Sequence, residues 1–548
     1  MKKLFAMILA LAMILCLATT AFAADNTVVT FADGGERTYN GYKLLDLTVS
    51  LKTGEHHPTH EGDHSDDCYN YSYTVNETYR DILQAETLAN GRNELWVTNG
   101  KPATASGVTD AQILEYLGYQ GSDQGDVSGT MRVVADRLYR AIQAAGTPAD
   151  KEKLSGTAPE IEQGYWMFAD VTEFDNNNNN NNNAHSLVVV DTNGASDITI
   201  TPKVATPTVE KKVKDIDDSE DSNILDNPWQ DSADHDVGDT VPFKLTGTLP
   251  SNAQYYTSYK MIFHDTLSAG LTFNAASVKV YMYDTKHKAD VDTDLNDYLN
   301  GYAKDVTEFF ITKDEDLTDG CSFEVSCENV FAITGVTKDS TFVVYYEATL
   351  NDAAVMGAAG NPNEVYLEYS NDPYGNGTGK TESDKVVVFT YQMIVNKVDS
   401  HGHALEGAGF TLYKKDLRTN DYAPLGTELK GDAMTTFTWT GLDDGDYKLV
   451  ETTVPAGFNK MDDIVFSISA THSETADEPA LTTLDGGLMG TGVVETGAIT
   501  KDIINNTGTV LPETGAKGTI MLIGTSSLFV MVAAVFMITR KKMSIYED

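Results

Sequence analysis

Cysteine is scarce in this chain of 548 residues: there are four, and Cys16 falls inside the first apolar run. Of the others, Cys68 stands alone, while Cys321 and Cys327 in "CSFEVSC" share one face of an expected strand, about 20 Å apart at strand rise. They are not placed to pair with each other, so no disulfide framework is evident and durability has to come from elsewhere. Positive charge is also in short supply. There are 39 Lys and Arg against 81 Asp and Glu, a net charge of −42, and such a chain repels phosphate backbones and makes nucleic acid an improbable partner. G-x-S-x-G does not occur, and the one H-E-x-x-H, "HEGDH" at His60 to His64, falls in a histidine-rich segment that reads as a loop rather than the helix this motif needs, so a cell-surface hydrolase is disfavoured and no enzyme is expected.

Long apolar runs occur only at the two ends. The opening "MKKLFAMILALAMILCLATTAFAAD" has two lysines, an apolar stretch from Leu4 to Leu17, and Ala21 and Ala23 at A-x-A spacing, which is a secretory signal peptide over residues 1–23. Near the other end, Gly518 to Thr539 carries no charge and as a helix would span roughly 33 Å, so a C-terminal transmembrane helix is expected. Arg540, Lys541 and Lys542 follow it, and basic residues beside a span stay in the cytoplasm, which places everything upstream outside.

Between the ends, short alternating segments such as "SVKVYMYD", "STFVVYYEATL" and "AGFTLYKKD" are split by Gly, Asn and Asp. The fold class read from them is mainly β, with tandem immunoglobulin-like β-sandwich domains. One helical patch, "DAQILEYLGY" with "MRVVADRLYRAIQAAG", falls early in the chain, where apolar residues recur at three and four. The segments "TPKVATPTVE" and "YSNDPYGNGTGKTESDK" read as linkers. They divide the exported chain into domains at 24–203, 204–388 and 389–510, followed by a tail at 511–548. The asparagine tract Asn176–Asn183 reads as a flexible hairpin loop. His56, His57, His60, His64 and Cys68 could hold a metal, but the segment reads as a solvated loop, so no metal or cofactor is assigned.

Strand alternation singles out six polar residues on apolar faces, because side chains two apart share a face. Lys211 aligns with Val209 and Val213, Asp265 with Met261 and Phe263, and Asn363 with Val365, Leu367 and Tyr369. The third segment repeats the set: Lys397 aligns with Met393 and Val395, Glu451 with Tyr447 and Leu449, and Asn505 with Ile503. Burying a charged amine or carboxylate without compensation is costly. One reading is a pair of buried salt bridges, each with a hydrogen-bonding asparagine. The other is a spontaneous amide bond, in which burial leaves an unprotonated lysine facing a protonated acid, Asp265 or Glu451, and the amine displaces ammonia from the asparagine. The chain-entropy estimate for closing the loop from Lys397 to Asn505 is roughly 4 to 5 kcal/mol.

Close to the end stands "NNTGTVLPETGAKG". Leu511, Pro512, Glu513, Thr514 and Gly515, followed by an apolar run and a basic tail, resemble the cell-wall sorting signal of Gram-positive surface proteins. That resemblance implies a sortase that attacks the carbonyl of Thr514, releases Gly515, and passes the acyl group to an amine. If that amine belongs to a wall precursor, the product is a lone wall-anchored adhesin; if it is a lysine of another copy, the product is a polymer. "NKVDSHGHALEGAGFTLYKKD", "GDYKLVETTVPAGFNK" and "IINNTGTVLPETG" further resemble the prealbumin-like, collagen-adhesin B-type domain that ends Gram-positive pilins, with Glu451 in the E-box. "PTVEKKV", "FHDTLSAGLTF" and "NPNEVYLEYSNDP" resemble their fimbrial isopeptide-forming domain.

The chain is thus similar to the major pilins of sortase-assembled pili. The resemblance implies Lys211–Asn363 and Lys397–Asn505 amides, and a joining lysine at Lys203 in "SDITITPKVATP", which alternation places on the polar face with Thr199 and Thr201. The partners it implies are sortase, further copies head to tail, peptidoglycan, ancillary pilins and host surface ligands. The implied location is a secreted, wall-anchored pilus whose precursor passes through the plasma membrane. The first domain has no lysine in its expected first strand, "NTVVTF", and no crosslink is expected there.

Overall fold

The computed structural model describes residues 27–32, 35–51, 69–97, 100–120, 130–156, 161–174, 183–192, 197–202, 204–215, 228–284, 303–416 and 419–507. The signal peptide, the histidine-rich segment, most of the asparagine tract, Lys203 and the whole tail from 508 lie outside these residues.

The first unit is built on one antiparallel sheet in the order Tyr69–Val75, Tyr39–Leu51, Gly164–Asp170, Leu187–Thr192, with Lys151–Leu154 beside Tyr39–Leu51. Three helices, Arg80–Asn90, Asp110–Gln120 and Thr130–Ala145, cover one face, packing Leu83, Ile113, Leu138 and Ile142 against Leu45, Met167 and Ala169. The other face packs Trp166 and Phe168 against Val29, Phe31 and Ile200 of a parallel two-stranded ribbon. Gly164–Asp170 is therefore buried on both sides, which is why "GYWMFAD" reads as one apolar run rather than an alternation.

The middle unit is a true sandwich. One sheet runs Ser232–Asp234, Asp384–Phe389, Asn361–Ser370, Met261–Leu267, Phe323–Cys327, Ile311–Lys313; the facing one runs Ala303–Asp305, Leu271–Asp284, Ser340–Leu350, Thr240–Thr248, Val209–Lys214, Trp229–Gln230. Phe243, Leu245, Phe263, Val280, Val344 and Leu367 fill the space between them. The glycine- and asparagine-rich stretch after Tyr369 turns back into this unit, where Thr378–Lys380 pairs with the end of Asn361–Ser370. Cys327 is buried and Cys321 half-buried, and both are free thiols.

The third unit faces a three-stranded sheet, Thr436–Leu442, Tyr391–Asp399, Ala498–Asn505, with a six-stranded one that includes Gly409–Asp416, Gly445–Thr453 and Ile464–His472. Its first and last strands lie side by side in parallel, with Lys397 opposite Ile503 and Asp399 opposite Asn505.

One element of the expected fold class is corrected. Among the described residues no helix is long and apolar enough to cross a membrane. The longest, Thr130–Ala145, has 16 residues and carries Arg132, Asp136, Arg137 and Arg140, so it is an amphipathic cover for a sheet. The run at 518–539, where the transmembrane helix was expected, lies outside the described residues. Among the described residues the architecture is mainly β, with α-helices confined to the first unit and single 3-10 turns elsewhere.

Candidate crosslinking sites

In the middle unit, Lys211 comes from one sheet, and Asp265 and Asn363 from paired strands of the other, so the trio spans the sandwich. All three are fully buried. The Lys211 amine donates to Asp265 Oδ2 and, at 3.0 Å, to the Tyr346 hydroxyl. That hydroxyl donates to Asp265 Oδ2 at 3.1 Å and accepts from Asn363 Nδ2 at 2.7 Å. Tyr346 thus ties the amine, the acid and the amide to one oxygen.

Aromatic rings wall the trio in. Phe243 stacks on Tyr346 at 5.2 Å, while Phe273 and Phe323 meet it edge-on. Burial pushes the Lys211 amine below its ordinary value, against the pull of Asp265. Burial likewise pushes Asp265 above the usual carboxylate range, against the opposing pull of Lys211. Both shifts favour a neutral amine beside a neutral acid. Asn363 Oδ1 and Asp265 Oδ1, the amide carbonyl and one acid oxygen, have no hydrogen-bond partner.

The third unit arranges its trio differently. Lys397 and Asn505 lie on neighbouring parallel strands of one sheet, and Glu451 reaches across from the other. All three are buried. Asn505 Nδ2 donates to Glu451 Oε1 at 2.6 Å, and the Met461 amide donates to Glu451 Oε2 at 2.9 Å. The Lys397 amine donates to the carbonyls of Val398 and Ile503, each at 3.0 Å. Burial pushes this amine down as well, with Glu451 opposing. The acid and amide are joined directly, while the amine is parked on the backbone carbonyls of its neighbour Val398 and its strand partner Ile503.

The structure therefore gathers all six internal residues into two buried groups. Lys203 and Leu511 to Gly515 lie outside the described residues. In the first unit the buried ion pair is Arg37 with Asp170, and Arg37 also donates to the Ala184 carbonyl at 2.9 Å. Sequence reasoning missed Tyr346. It lies in "STFVVYYEATL", where seven consecutive residues are buried and alternation has no contrast. The usable hint was its shared face with Phe342, Val344 and Ala348.

Residues 391–478 match the SpaA prealbumin-like fold domain. The chain resembles Gram-positive backbone pilins. A curated relative, the trypsin-resistant surface T6 protein of Streptococcus pyogenes, is 27% identical over 241 residues, a stretch that covers 41% of this chain and 40% of the relative. Among solved structures, the three-domain T6 backbone pilin of Streptococcus pyogenes aligns over 88% of this chain and 98% of its own, with 17% identity and a TM-score of 0.46. The major pilin SpaD of Corynebacterium diphtheriae aligns over 67% of this chain and 87% of its own, with 18% identity and a TM-score of 0.41.

Proposed function

We propose that this chain is the backbone subunit of a covalently polymerised, wall-anchored surface pilus. Its role is structural: any internal amide forms once and does not turn over. The observation that carries the reading is the pair of buried lysine, acid and asparagine groups in successive β-sandwiches, each joining distant parts of its unit. In each, the neutral lysine Nζ attacks the asparagine side-chain carbonyl carbon, Asn363 Cγ or Asn505 Cγ. The C–N bond to lysine forms, the bond to Nδ2 breaks, and ammonia leaves, carrying off the amine proton relayed through Asp265 or Glu451. The product has no charge to bury, which removes the cost of the unreacted state.

Between subunits, sortase cleaves after Thr514 and joins its carbonyl to Lys203 of the next copy, with peptidoglycan taking the last one. The sorting phrase and the resemblance to pilins support this step. The test is a high-molecular-weight ladder in wall extracts. Lys203→Ala is expected to collapse it to monomer, while Thr514→Ala abolishes both ladder and wall attachment. A ladder that persists in Lys203→Ala overturns the assignment of that lysine, and the absence of any ladder in the unmutated protein leaves a monomeric wall-anchored surface protein.

A further inference from the structure

The strand Met261–Leu267 presents Asp265 to the core and His264 to the opposite face, and the residues gathered over His264 have no part in the crosslink. His264 is 5% exposed, although it lies on the outer side of the sheet. Its Nδ1 lies 2.7 Å from Asp319 Oδ2, 3.5 Å from Glu324 Oε1 and 3.9 Å from Cys321 Sγ. One donor atom from each of these four residues can be chosen so that all lie within 4.8 Å of one another. On the far side of the ring, Nε2 is 3.4 Å from Glu368 Oε2. Tyr366 stacks on the imidazole at 4.5 Å and donates its hydroxyl to Asp319 Oδ2 at 2.6 Å. Lys380 reaches the Tyr366 hydroxyl rather than a carboxylate. Three carboxylates and a thiol thus surround one imidazole.

We propose that His264 Nδ1, Cys321 Sγ, Asp319 and Glu324 form a zinc site on the outer face of the middle unit. The donor set is mixed nitrogen, sulfur and oxygen, which suits zinc and disfavours calcium and magnesium. Tetrahedral zinc needs its donors about 3 to 4 Å apart, so the looser pairs of the observed cluster contract, while His264 Nδ1 and Asp319 Oδ2, now 2.7 Å apart, spread. The surroundings support the ligands as zinc sites require: Glu368 Oε2 lies 3.4 Å from the other ring nitrogen, and the Tyr366 hydroxyl orients the Asp319 carboxylate. Binding releases the Cys321 thiol proton and replaces crowded like charge with a dication. It also fastens the turn carrying Asp319 and Cys321 to the strand that carries Asp265, where Ser322 N already donates to the Asp265 carbonyl at 2.7 Å.

The test is titration of the full secreted chain with cobalt(II), in a Cys68→Ser background that removes the only cysteine of the histidine-rich segment. One saturable thiolate-to-cobalt absorption band per chain is expected, displaced by zinc and unaffected by calcium. The band disappears in Cys321→Ser, and zinc affinity falls at least about tenfold in His264→Gln. No saturable band, or a band that survives Cys321→Ser, overturns the proposal. Should Cys321→Ser fail to fold, the unmutated chain decides: zinc is expected to slow alkylation of Cys321, located by peptide mapping, and equal alkylation with and without zinc refutes the site.

Discussion

A lysine amine with no exposed surface is the residue-scale problem that this molecule has to solve, and it solves it twice. Around Lys211 the answer is a hydroxyl that serves three polar groups at once. Removing it leaves buried donors without partners, at a cost of about 1–3 kcal/mol. Tyr346→Phe is therefore expected to slow or stall amide formation in the middle unit and leave the third unit's bond intact. Intact mass read over time after secretion checks this: the variant accumulates chains lacking one ammonia rather than two. The inward direction of Lys211, Asp265, Asn363, Lys397, Glu451 and Asn505 was legible, because each sits in a strand whose two faces differ in polarity. Tyr346 was not, since its strand is apolar on both faces and a phenol reads as core in either orientation.

Among the elements, Gly164–Asp170 carries the first unit, with Met167 and Ala169 under the helices and Trp166 and Phe168 under the ribbon. Phe168 stacks with Trp166 at 5.9 Å and meets Phe31 edge-on at 5.6 Å, and its ring lies where a side chain on Gly41 would have to go. Phe168→Ala is expected to destabilise the first unit by about 3–5 kcal/mol, seen as an earlier unfolding transition in denaturant with the later transitions unchanged. Of the three helices, Asp110–Gln120 and Thr130–Ala145 were legible from spacing. Arg80–Asn90 was not, because two of its three buried residues, Gln84 and Thr87, are polar and break the apolar period. The expected transmembrane helix rested on hydropathy alone, and no described helix answers to it. Sequence alternation also could not tell that the acid and the asparagine share a sheet in the first trio while the lysine and the asparagine share one in the second, since pairing partners are set by tertiary contacts.

Over the whole molecule, the middle and third units meet through a buried polar seam. His472 Nε2 lies 3.3 Å from Asp234 Oδ1 and 3.7 Å from Asp215 Oδ2, and Tyr391 donates to Asp234 Oδ2 at 2.8 Å. Burial, with the Asp234 charge, pushes Asp215 up to about 7. Burial opposes charge on His472, but Asp234 and Asp215 outweigh it and hold its pKa above the ordinary value. The folded chain thus keeps a proton on Asp215 that the unfolded chain releases near pH 4, and stability falls as pH rises from there to about 7. Protonated His472 contributes fully below its unfolded value, near 6.5, and is lost as pH rises through its raised one. Both slopes have the same sign between pH 6 and 8, so the thermal midpoint is expected to be lower at pH 8, and His472→Gln flattens the difference. None of this seam was legible, because its members come from segments far apart in the chain. The central claim is that tension along the subunit runs through covalent amides, and intact-mass measurement of the mature secreted region tests it most directly. The account predicts a mass two ammonias below the sequence value, one ammonia below it in Asp265→Ala and likewise in Glu451→Ala; a mass equal to the sequence value in the unmutated protein contradicts it.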